Sequence, residues 1–214
     1  MNGVQKTKLL LVDDHAIVRA GFRYLLESDA DYEIKEVNTA EEACHVYNEY
    51  KPDAVIMDLL MPGMGGLEGV RHINAKDGEA KVLVLSMRDD PVYISRARKA
   101  GAKGYITKRS APEELTRAII SVIDGKEYLS SDVLDIMPRA DVTTDDEKIN
   151  CLSEREFEVF CMLADGVSVV SISNSLHLSP KTVSNHRTRI MSKLSANSLV
   201  DITRLAIRKG LIDA

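Results

Sequence analysis

The sequence predicts two domains, an α/β sandwich over residues 1–125 and an all-α domain over residues 150–214. In the first part, short apolar runs alternate with longer amphipathic runs, as in repeated strand–helix units of a parallel sheet. In the second part, amphipathic helical patterns follow one another. The length of 214 residues fits two compact units, and an aromatic content of 5% with no Trp favours layered packing.

Five strands are predicted in the α/β domain, separated by helical stretches such as HAIVRAGFRYLLES and TAEEACHVYNEY. The strands are KLLLVD, YEIKEV, DAVIMD, KVLVLS and KGYITK. The expected fold is a doubly wound, five-stranded parallel sheet with helices on both faces. Ligands of such folds bind beyond the carboxyl ends of the strands, which gives the strand ends functional weight.

The segment 126–149 is polar, weakly patterned and acidic, with three basic and seven acidic side chains. This composition is typical of a linker between domains. We therefore expect domains over residues 1–125 and 150–214, joined by a linker over residues 126–149.

The apolar run near the N-terminus ends at carboxylates after four residues, too early for a signal peptide or a membrane span. We expect a cytoplasmic protein without a membrane partner. The three cysteines form no Cys-x-x-Cys pair, which argues against a disulfide framework or a structural zinc site.

The all-α part contains the pattern of a helix-turn-helix. A capping box formed by Ser153 and Glu156 opens its first helix, and Gly166 is a natural stop. A short helix over SVVSISNSL precedes a longer one that begins with Ser179 as N-cap and Pro180 at the first helical position. In a helix-turn-helix this second helix enters the major groove of DNA.

The charge distribution agrees with a nucleic-acid partner. The net charge of the chain is −5, yet residues 150–214 carry eight basic and six acidic side chains. Residues 179–193 hold four basic side chains and no acidic one, which is a local electrostatic footprint for a polyanion. A solvated helix face is the alternative interpretation.

Polar side chains stand at the ends of four predicted strands: Asp13 with Asp14, Asp58, Ser86 and Lys108. Three carboxylates at one edge of a sheet repel one another unless a pKa rises or a cation binds. Oxygen ligands of this kind suit Mg²⁺, which keeps waters and leaves room for a phosphoryl oxygen.

The same edge carries groups that suit phosphoryl transfer. Lys108 supplies a positive charge and Ser86 a hydroxyl donor for a phosphoryl group. A carboxylate beside Mg²⁺ and lysine can act as a nucleophile, since both cations offset charge on the transferring oxygens. Asp58 is the candidate acceptor.

The motifs LLVDDH, PDAVIMDLLMPGMGG, VLVLS and AGAKGYITK resemble those of the receiver domain of two-component response regulators. The resemblance implies a flavodoxin-like fold whose Asp58 receives a phosphoryl group from a sensor histidine kinase or a phosphotransfer domain. It also implies that Asp14, Asp58 and the Leu60 carbonyl bind Mg²⁺, with Asp13 acting through water. Ser86 and Tyr105 would form the switch.

Many receivers have Pro where this chain has Arg109, so we expect a trans peptide bond there.

The helix that follows Ser179 has two different faces. Val183, His186, Ile190 and Leu194 would face the core. The opposite face would carry Lys181, Ser184, Asn185, Thr188 and Ser192. Asn can form paired hydrogen bonds with adenine, while Ser and Thr contact several base edges.

The C-terminal part resembles the DNA-binding domain of LuxR-type regulators, and with the receiver in front the chain resembles the NarL/FixJ class. The resemblance implies base reading by Ser184, Asn185 and Thr188 in double-stranded DNA. It implies phosphate contacts from Lys181, Thr182, Arg187, Arg189 and Lys193. The family dimerises through its last helix, which implies a homodimer when phosphorylated or DNA-bound, formed by Val200, Thr203, Arg204 and Ile207.

The favoured hypothesis is a phosphorylation-controlled transcription factor that slowly loses its own aspartyl phosphate and does not turn over external substrates. A ligand-sensing regulator is a second class, since LuxR-type domains also follow small-molecule pockets. A phosphatase of the haloacid dehalogenase type is a third class with a strand-end Asp nucleophile. In such phosphatases the second residue after the nucleophilic Asp is typically another Asp, whereas here the second residue after Asp58 is Leu60, preceded by Leu59.

Overall fold

A computed structural model describes residues 6–29, 32–137 and 144–212. Six strands are present in this part of the chain: β1 (Thr7–Val12), β2 (Tyr32–Val37), β3 (Ala54–Met57), β4 (Val82–Ser86), β5 (Gly104–Thr107) and β6 (Tyr128–Leu129). Six helices lie in or directly after the sheet: α1 (Ala16–Asp29), α2 (Ala40–Tyr50), α3 (Gly66–Lys76), α4 (Pro91–Ala100), α5 (Ala111–Ile123) and α6 (Ser131–Ile136). Five follow: α7 (Thr144–Asn150), α8 (Glu154–Ala164), α9 (Val169–Ser175), α10 (Pro180–Leu194) and α11 (Leu199–Arg208).

The sheet is parallel, with strand order β2-β1-β3-β4-β5-β6. The doubly wound fold and its five predicted strands are confirmed. In four of these strands one or both ends differ from the prediction by one residue. Strands β3, β4 and β5 are buried along their whole length, because helices cover both faces of the sheet. Asp13, Asp58 and Lys108 each follow the last residue of a strand, and Ser86 is the last residue of β4.

The sixth strand was not predicted. It lies in the segment read as a linker, where Leu129 pairs with Tyr105 and the Ser130 amide donates a 3.0 Å hydrogen bond to the Tyr105 carbonyl. The free edge of β5 has main-chain groups that need partners, and two residues are enough to satisfy part of that edge. Helix α6 and all but the last residue of α7 also fall in the segment 126–149, whose residues 138–143 lie outside the described part.

Two cores flank the sheet, because alternate residues of each strand point to opposite faces. Leu9, Ile56 and Leu83 pack with α1 and α5 on one face. On the other face, Leu10 and Val84 belong to a core that continues through α2, α3 and α4 into the C-terminal helices. The two parts of the chain therefore share apolar contacts.

The C-terminal helices form the predicted helix-turn-helix. Ser153 and Glu156 make both hydrogen bonds of the capping box, and Ser179 Oγ accepts a 3.1 Å hydrogen bond from the Thr182 amide at the start of α10. Val183 and Ile190 are buried, while His186 is only half-buried. A helix that was not predicted, α7, precedes α8.

Within the described residues, no helix has both the length and the apolar character needed to cross a bilayer.

Candidate functional site

The carboxylates predicted at the strand ends meet in one pocket. Asp13 and Asp58 are 1% and 2% exposed, and they lie beside Asp14 and His15. One ligand atom from each of these four residues lies within 4.8 Å of the others. Parallel strands β1 and β3 are neighbours, so their carboxyl ends place these side chains together.

Lys108 neutralises part of this charge. Its ammonium donates hydrogen bonds to Asp13 Oδ2 at 2.7 Å and to Asp58 Oδ2 at 2.8 Å. Burial raises the pKa of Asp58 and the charge of Asp13 adds to the effect, so that Lys108 only partly offsets it. Burial works against the charge of Lys108, yet the carboxylates outweigh it and raise the pKa of Lys108.

The pocket fits an additional cation. Asp14 Oδ1 is buried and has no hydrogen-bond partner, although His15 Nδ1 lies 2.9 Å away. A buried carboxylate oxygen without a donor is costly unless a cation approaches it. Carboxylate oxygens are the ligands that Mg²⁺ prefers. His15 was overlooked in the sequence, where its only signal is its place directly after the two aspartates.

The loop after β3 closes in on Asp58. The Leu60 amide donates to Asp58 Oδ1 at 3.3 Å. A Cβ atom at Gly66 would lie 1.9 Å from the Asp58 carbonyl oxygen, so only glycine permits α3 to start this close to the end of β3.

Ser86 and Tyr105 are both bound to one residue of the loop between β4 and α4. Ser86 Oγ accepts a 3.1 Å hydrogen bond from the Arg88 amide. The Tyr105 hydroxyl donates a 2.7 Å hydrogen bond to the Arg88 carbonyl. Burial raises the pKa of Tyr105, so this hydroxyl stays a donor.

A polar cluster holds the end of β5 next to Lys108. Thr107 Oγ1 donates a 2.5 Å hydrogen bond to Asp132, which also accepts a hydrogen bond from the Ser130 hydroxyl. The Arg109 guanidinium pairs with Asp89 on the outside of the pocket. No peptide bond between described residues is cis, so the bond from Lys108 to Arg109 is trans, as expected.

The predicted DNA-reading face of α10 is open to solvent. Ser184, Asn185 and Thr188 are exposed. The hydroxyls of Ser184 and Thr188 donate to carbonyls of their own helix, at 2.9 and 3.1 Å. Among the predicted phosphate contacts, Lys181, Arg189 and Lys193 are exposed, while Thr182 and Arg187 are half-buried.

Lys193 differs from the other predicted phosphate contacts. Its ammonium donates to the buried Glu156 carboxylate at 2.5 Å and to the Cys151 carbonyl at 3.0 Å. It therefore already serves as a bridge between α10 and α8 inside the domain.

The surface predicted for dimerisation lies on α11. Val200 and Ile207 are 56% and 37% exposed, and Arg204 is exposed as well. Thr203 is half-buried, and its hydroxyl donates to the Ala164 carbonyl at 3.2 Å. Thr203 thus also helps to fix α11 on α8.

The contacts between the two parts of the chain were not predicted. Arg96 of α4 is 2% exposed and donates to Glu154 at 2.7 Å and to the carbonyls of Ile149 and Leu152. Its guanidinium stacks over the Phe157 ring, 4.1 Å from the ring centre. In the sequence, an arginine on a helix of the α/β domain cannot be distinguished from an ordinary solvent-exposed charge.

A second contact between the two parts of the chain reaches the loop after β3. Arg155 donates to the Gly63 carbonyl at 2.6 Å and pairs with Glu158 at 2.8 Å. A Cβ atom at Gly65 would lie 1.7 Å from Glu158 Oε1, so glycine permits this close approach. Burial raises the pKa of Glu158 to about 7, although Arg155 counteracts it.

Comparison with known proteins agrees with this geometry. Residues 9–120 match the family model described as response regulator receiver domain, and residues 150–206 match the model described as bacterial regulatory proteins, luxR family. Fold and site thus define a bacterial regulator in which a receiver domain precedes a DNA-binding domain.

Relatives along the whole chain specify the family further. The chain is 38% identical over 209 residues to Response regulator UvrY of Escherichia coli strain K12, covering 96% of both. A LuxR-family two-component response regulator from Aurantimonas sp. SI85-9A1 has a solved structure that is 40% identical, with a TM-score of 0.61, over 63% of this chain and 97% of that one. A structure of two RcsB dimers bound to two parallel DNAs is 25% identical, with a TM-score of 0.59, over 94% and 98%. The chain belongs to the two-component response regulators of the NarL/FixJ family.

Proposed function

We propose that this response regulator accepts a phosphoryl group on Asp58 from a sensor histidine kinase or a phosphotransfer domain, and that the modification controls DNA binding by α10. One observation carries the proposal: Asp58 is buried beside two carboxylates and a lysine at the carboxyl edge of the sheet. In the proposed reaction the N–P bond of a phosphohistidine breaks and an O–P bond to Asp58 forms. The histidine nitrogen keeps the electron pair of the broken bond.

The surrounding residues have separate roles in this proposal. Lys108 is already within 2.8 Å of Asp58 and offsets charge on the transferring oxygens. Ser86 donates its hydroxyl to a phosphoryl oxygen, and Tyr105 follows the movement of the loop. Slow hydrolysis of the chain's own aspartyl phosphate returns the resting state.

Mg²⁺ is the proposed cofactor, held by Asp14, Asp58 and the Leu60 carbonyl, with Asp13 acting through water. When bound, it supplies positive charge that offsets the negative phosphoryl oxygens. The buried, unbonded oxygen of Asp14 supports this assignment, because a cation removes its desolvation cost.

Double-stranded DNA is the proposed partner of the C-terminal domain, over residues 150–214, and a linker over residues 126–149 joins it to the receiver over residues 1–125. Ser184, Asn185 and Thr188 would read base edges. Lys181, Thr182, Arg187 and Arg189 would contact phosphates, with Lys193 joining them only if it leaves Glu156.

The exposed apolar side chains of Val200 and Ile207 support a homodimer through α11. The structure of two RcsB dimers bound to two parallel DNAs supports a dimeric state on DNA. We place the protein in the cytoplasm, where DNA and kinase domains meet.

The experiment exposes the full-length protein to acetyl phosphate and Mg²⁺, then measures phosphoryl incorporation by mass spectrometry and DNA affinity at fixed salt. We expect incorporation into wild type and into the control Asp124→Asn, and none into Asp58→Asn. DNA affinity should change by about fivefold or more on phosphorylation, a usual size for coupling between sites. Equal incorporation into Asp58→Asn, or equal DNA affinity with and without the phosphoryl group, would refute the proposal.

A further inference from the structure

Arg88 occupies an unusual position between the two halves of the molecule. Its main chain joins both residues of the proposed switch, because its amide donates to Ser86 Oγ at 3.1 Å and its carbonyl accepts from Tyr105 at 2.7 Å. Any movement of the Ser86 hydroxyl therefore acts on the backbone of Arg88.

The side chain of Arg88 points to the DNA-binding domain. Its Nη1 atom donates a 3.1 Å hydrogen bond to the carbonyl of Leu211, three residues after the end of α11. Its guanidinium also lies over the ring of Tyr93, 5.6 Å from the centre. Leu211 is fully buried, so this bond ties the segment after α11 to the receiver.

Tyr93 extends the same contact into α8. Its hydroxyl donates to Cys161 Sγ at 3.5 Å, and its ring packs edge-on against Phe157 with 5.0 Å between ring centres. Arg88 thus contacts the C-terminal domain directly at Leu211, and through Tyr93 at α8. Arg88 therefore links the loop between β4 and α4, which contacts both proposed switch residues, to the receiver surface on which the DNA-binding domain packs.

We propose that Arg88 is the residue that couples the state of Asp58 to the docking of the DNA-binding domain. This inference rests on the proposed phosphorylation of Asp58. When the Ser86 hydroxyl turns toward a phosphoryl oxygen, it moves away from the Arg88 amide, and the loop shifts. Arg88 then releases the Leu211 carbonyl and the Tyr93 ring, and the C-terminal domain separates from α4.

The substitution Arg88→Ala separates the two functions of this residue. It keeps the amide and the carbonyl that bind Ser86 and Tyr105, and it removes only the guanidinium contacts to Leu211 and Tyr93. The variant should therefore still accept a phosphoryl group but should no longer hold the DNA-binding domain in the resting state.

The three cysteines of the chain provide the measurement. Cys161 is buried at the contact between the domains, Cys44 is buried inside the receiver and Cys151 is exposed. Burial raises the pKa of the Cys161 thiol to about 12, so it reacts slowly while the domains are docked. Maleimide labelling of the full-length protein, followed by peptide mass analysis, reports each thiol separately. Labelling of the buried Cys44 then reports global unfolding, and labelling of the exposed Cys151 confirms that the reagent is active.

We expect phosphorylation of wild type to accelerate labelling of Cys161 by about tenfold, without a change at Cys44. In Arg88→Ala, Cys161 should react rapidly with or without the phosphoryl group. Equally slow labelling in Arg88→Ala and wild type, with the same acceleration on phosphorylation, would overturn the proposal. If Cys44 also accelerates in Arg88→Ala, the variant has unfolded, and Arg88→Met decides: rapid labelling of Cys161 alone supports the coupling, and slow labelling refutes it.

Phosphoryl incorporation is measured in the same samples, which keeps the two proposals distinguishable. Absence of incorporation into wild type refutes the proposed function. The comparison of unphosphorylated wild type with Arg88→Ala still tests whether Arg88 holds the domains together. Normal incorporation with no difference between these two proteins refutes the role of Arg88 alone.

Discussion

The Lys108 ammonium lies 2.8 Å from the Asp58 carboxylate, so the proposed acceptor is held in an ion pair before any phosphoryl group arrives. Both side chains are largely buried, with exposed fractions of 9% and 3%. Removal of the lysine leaves two buried carboxylates without their cation, which is far more costly than the loss of a surface pair.

We therefore predict that Lys108→Met lowers the free energy of unfolding by about 3 kcal/mol in the absence of Mg²⁺. Added Mg²⁺ should restore part of the loss, because a cation that binds only the folded state stabilises it. Urea unfolding with and without Mg²⁺ measures both effects. Lys99→Met is the matched control, since Lys99 is exposed on α4. A stability loss as small as that of the control contradicts the prediction.

Asp14→Asn is predicted to lower the affinity for Mg²⁺ without lowering the stability of the metal-free protein. It removes a ligand oxygen with no hydrogen bond, so Mg²⁺ affinity should fall by about tenfold or more, or ~1.4 kcal/mol. It also removes a like charge beside Asp13 and Asp58, so the metal-free protein should be as stable as wild type or more so. Magnesium titration followed by thermal unfolding measures the two changes. Unchanged Mg²⁺ affinity would remove Asp14 from the ligand set.

The contact of Glu158 with the loop after β3 predicts a dependence on pH. The pKa of this carboxyl is about 7 in the folded protein, above its ordinary value of 4.5, because it is buried. Between these values the folded state binds more protons than the unfolded state, so stability falls as pH rises through the window. The nearby charges are Arg155 and Glu154 on α8 and Glu68 on α3.

Replacement of Glu158 by Gln should remove this contribution. The difference in the free energy of unfolding between Glu158→Gln and wild type should grow in favour of the variant by about 2–3 kcal/mol from pH 5 to pH 8. Denaturant unfolding at a series of pH values measures it. A difference that stays constant over this range would show that the carboxyl does not titrate there. Glu127→Gln, at a carboxylate 64% exposed, provides the control.

Two positions of α10 should respond differently to alanine. Asn185 is exposed on the proposed reading face, so Asn185→Ala should weaken binding to the preferred operator by about 1–3 kcal/mol and relax its sequence preference. Lys193 is bonded to Glu156, so Lys193→Ala should lower protein stability and leave the sequence preference unchanged. Binding to a set of operators at several salt concentrations, with urea unfolding in parallel, distinguishes the two. Equal loss of affinity on every operator in Asn185→Ala would exclude base reading by this side chain.

Much of the receiver could be predicted because local signals and topology agree there. Strand β2 was predicted with its exact bounds, and the polar residues at four other strand ends converge because parallel strands share one carboxyl edge. Strand β6 was missed, since two residues carry no periodicity and their pairing is determined by the edge of β5.

The contacts between the domains were beyond sequence patterns for a different reason. Arg96 and Arg155 carry the same charge in the sequence as any solvated side chain, and only tertiary packing gives them carbonyl partners across the domain contact. The same holds for Arg88, whose main chain and side chain bind opposite sides of the interface.

The open face of α10 has a consequence for how the protein finds its sites. Ser184, Asn185 and Thr188 are exposed while the receiver is docked, so the receiver does not cover the side chains proposed to read DNA. The resting protein can then scan chromosomal DNA through weak, salt-dependent encounters before any signal arrives. We expect a signal to change mainly how long the protein remains at an operator once it is found, because affinity differences between related complexes lie mostly in the dissociation rate.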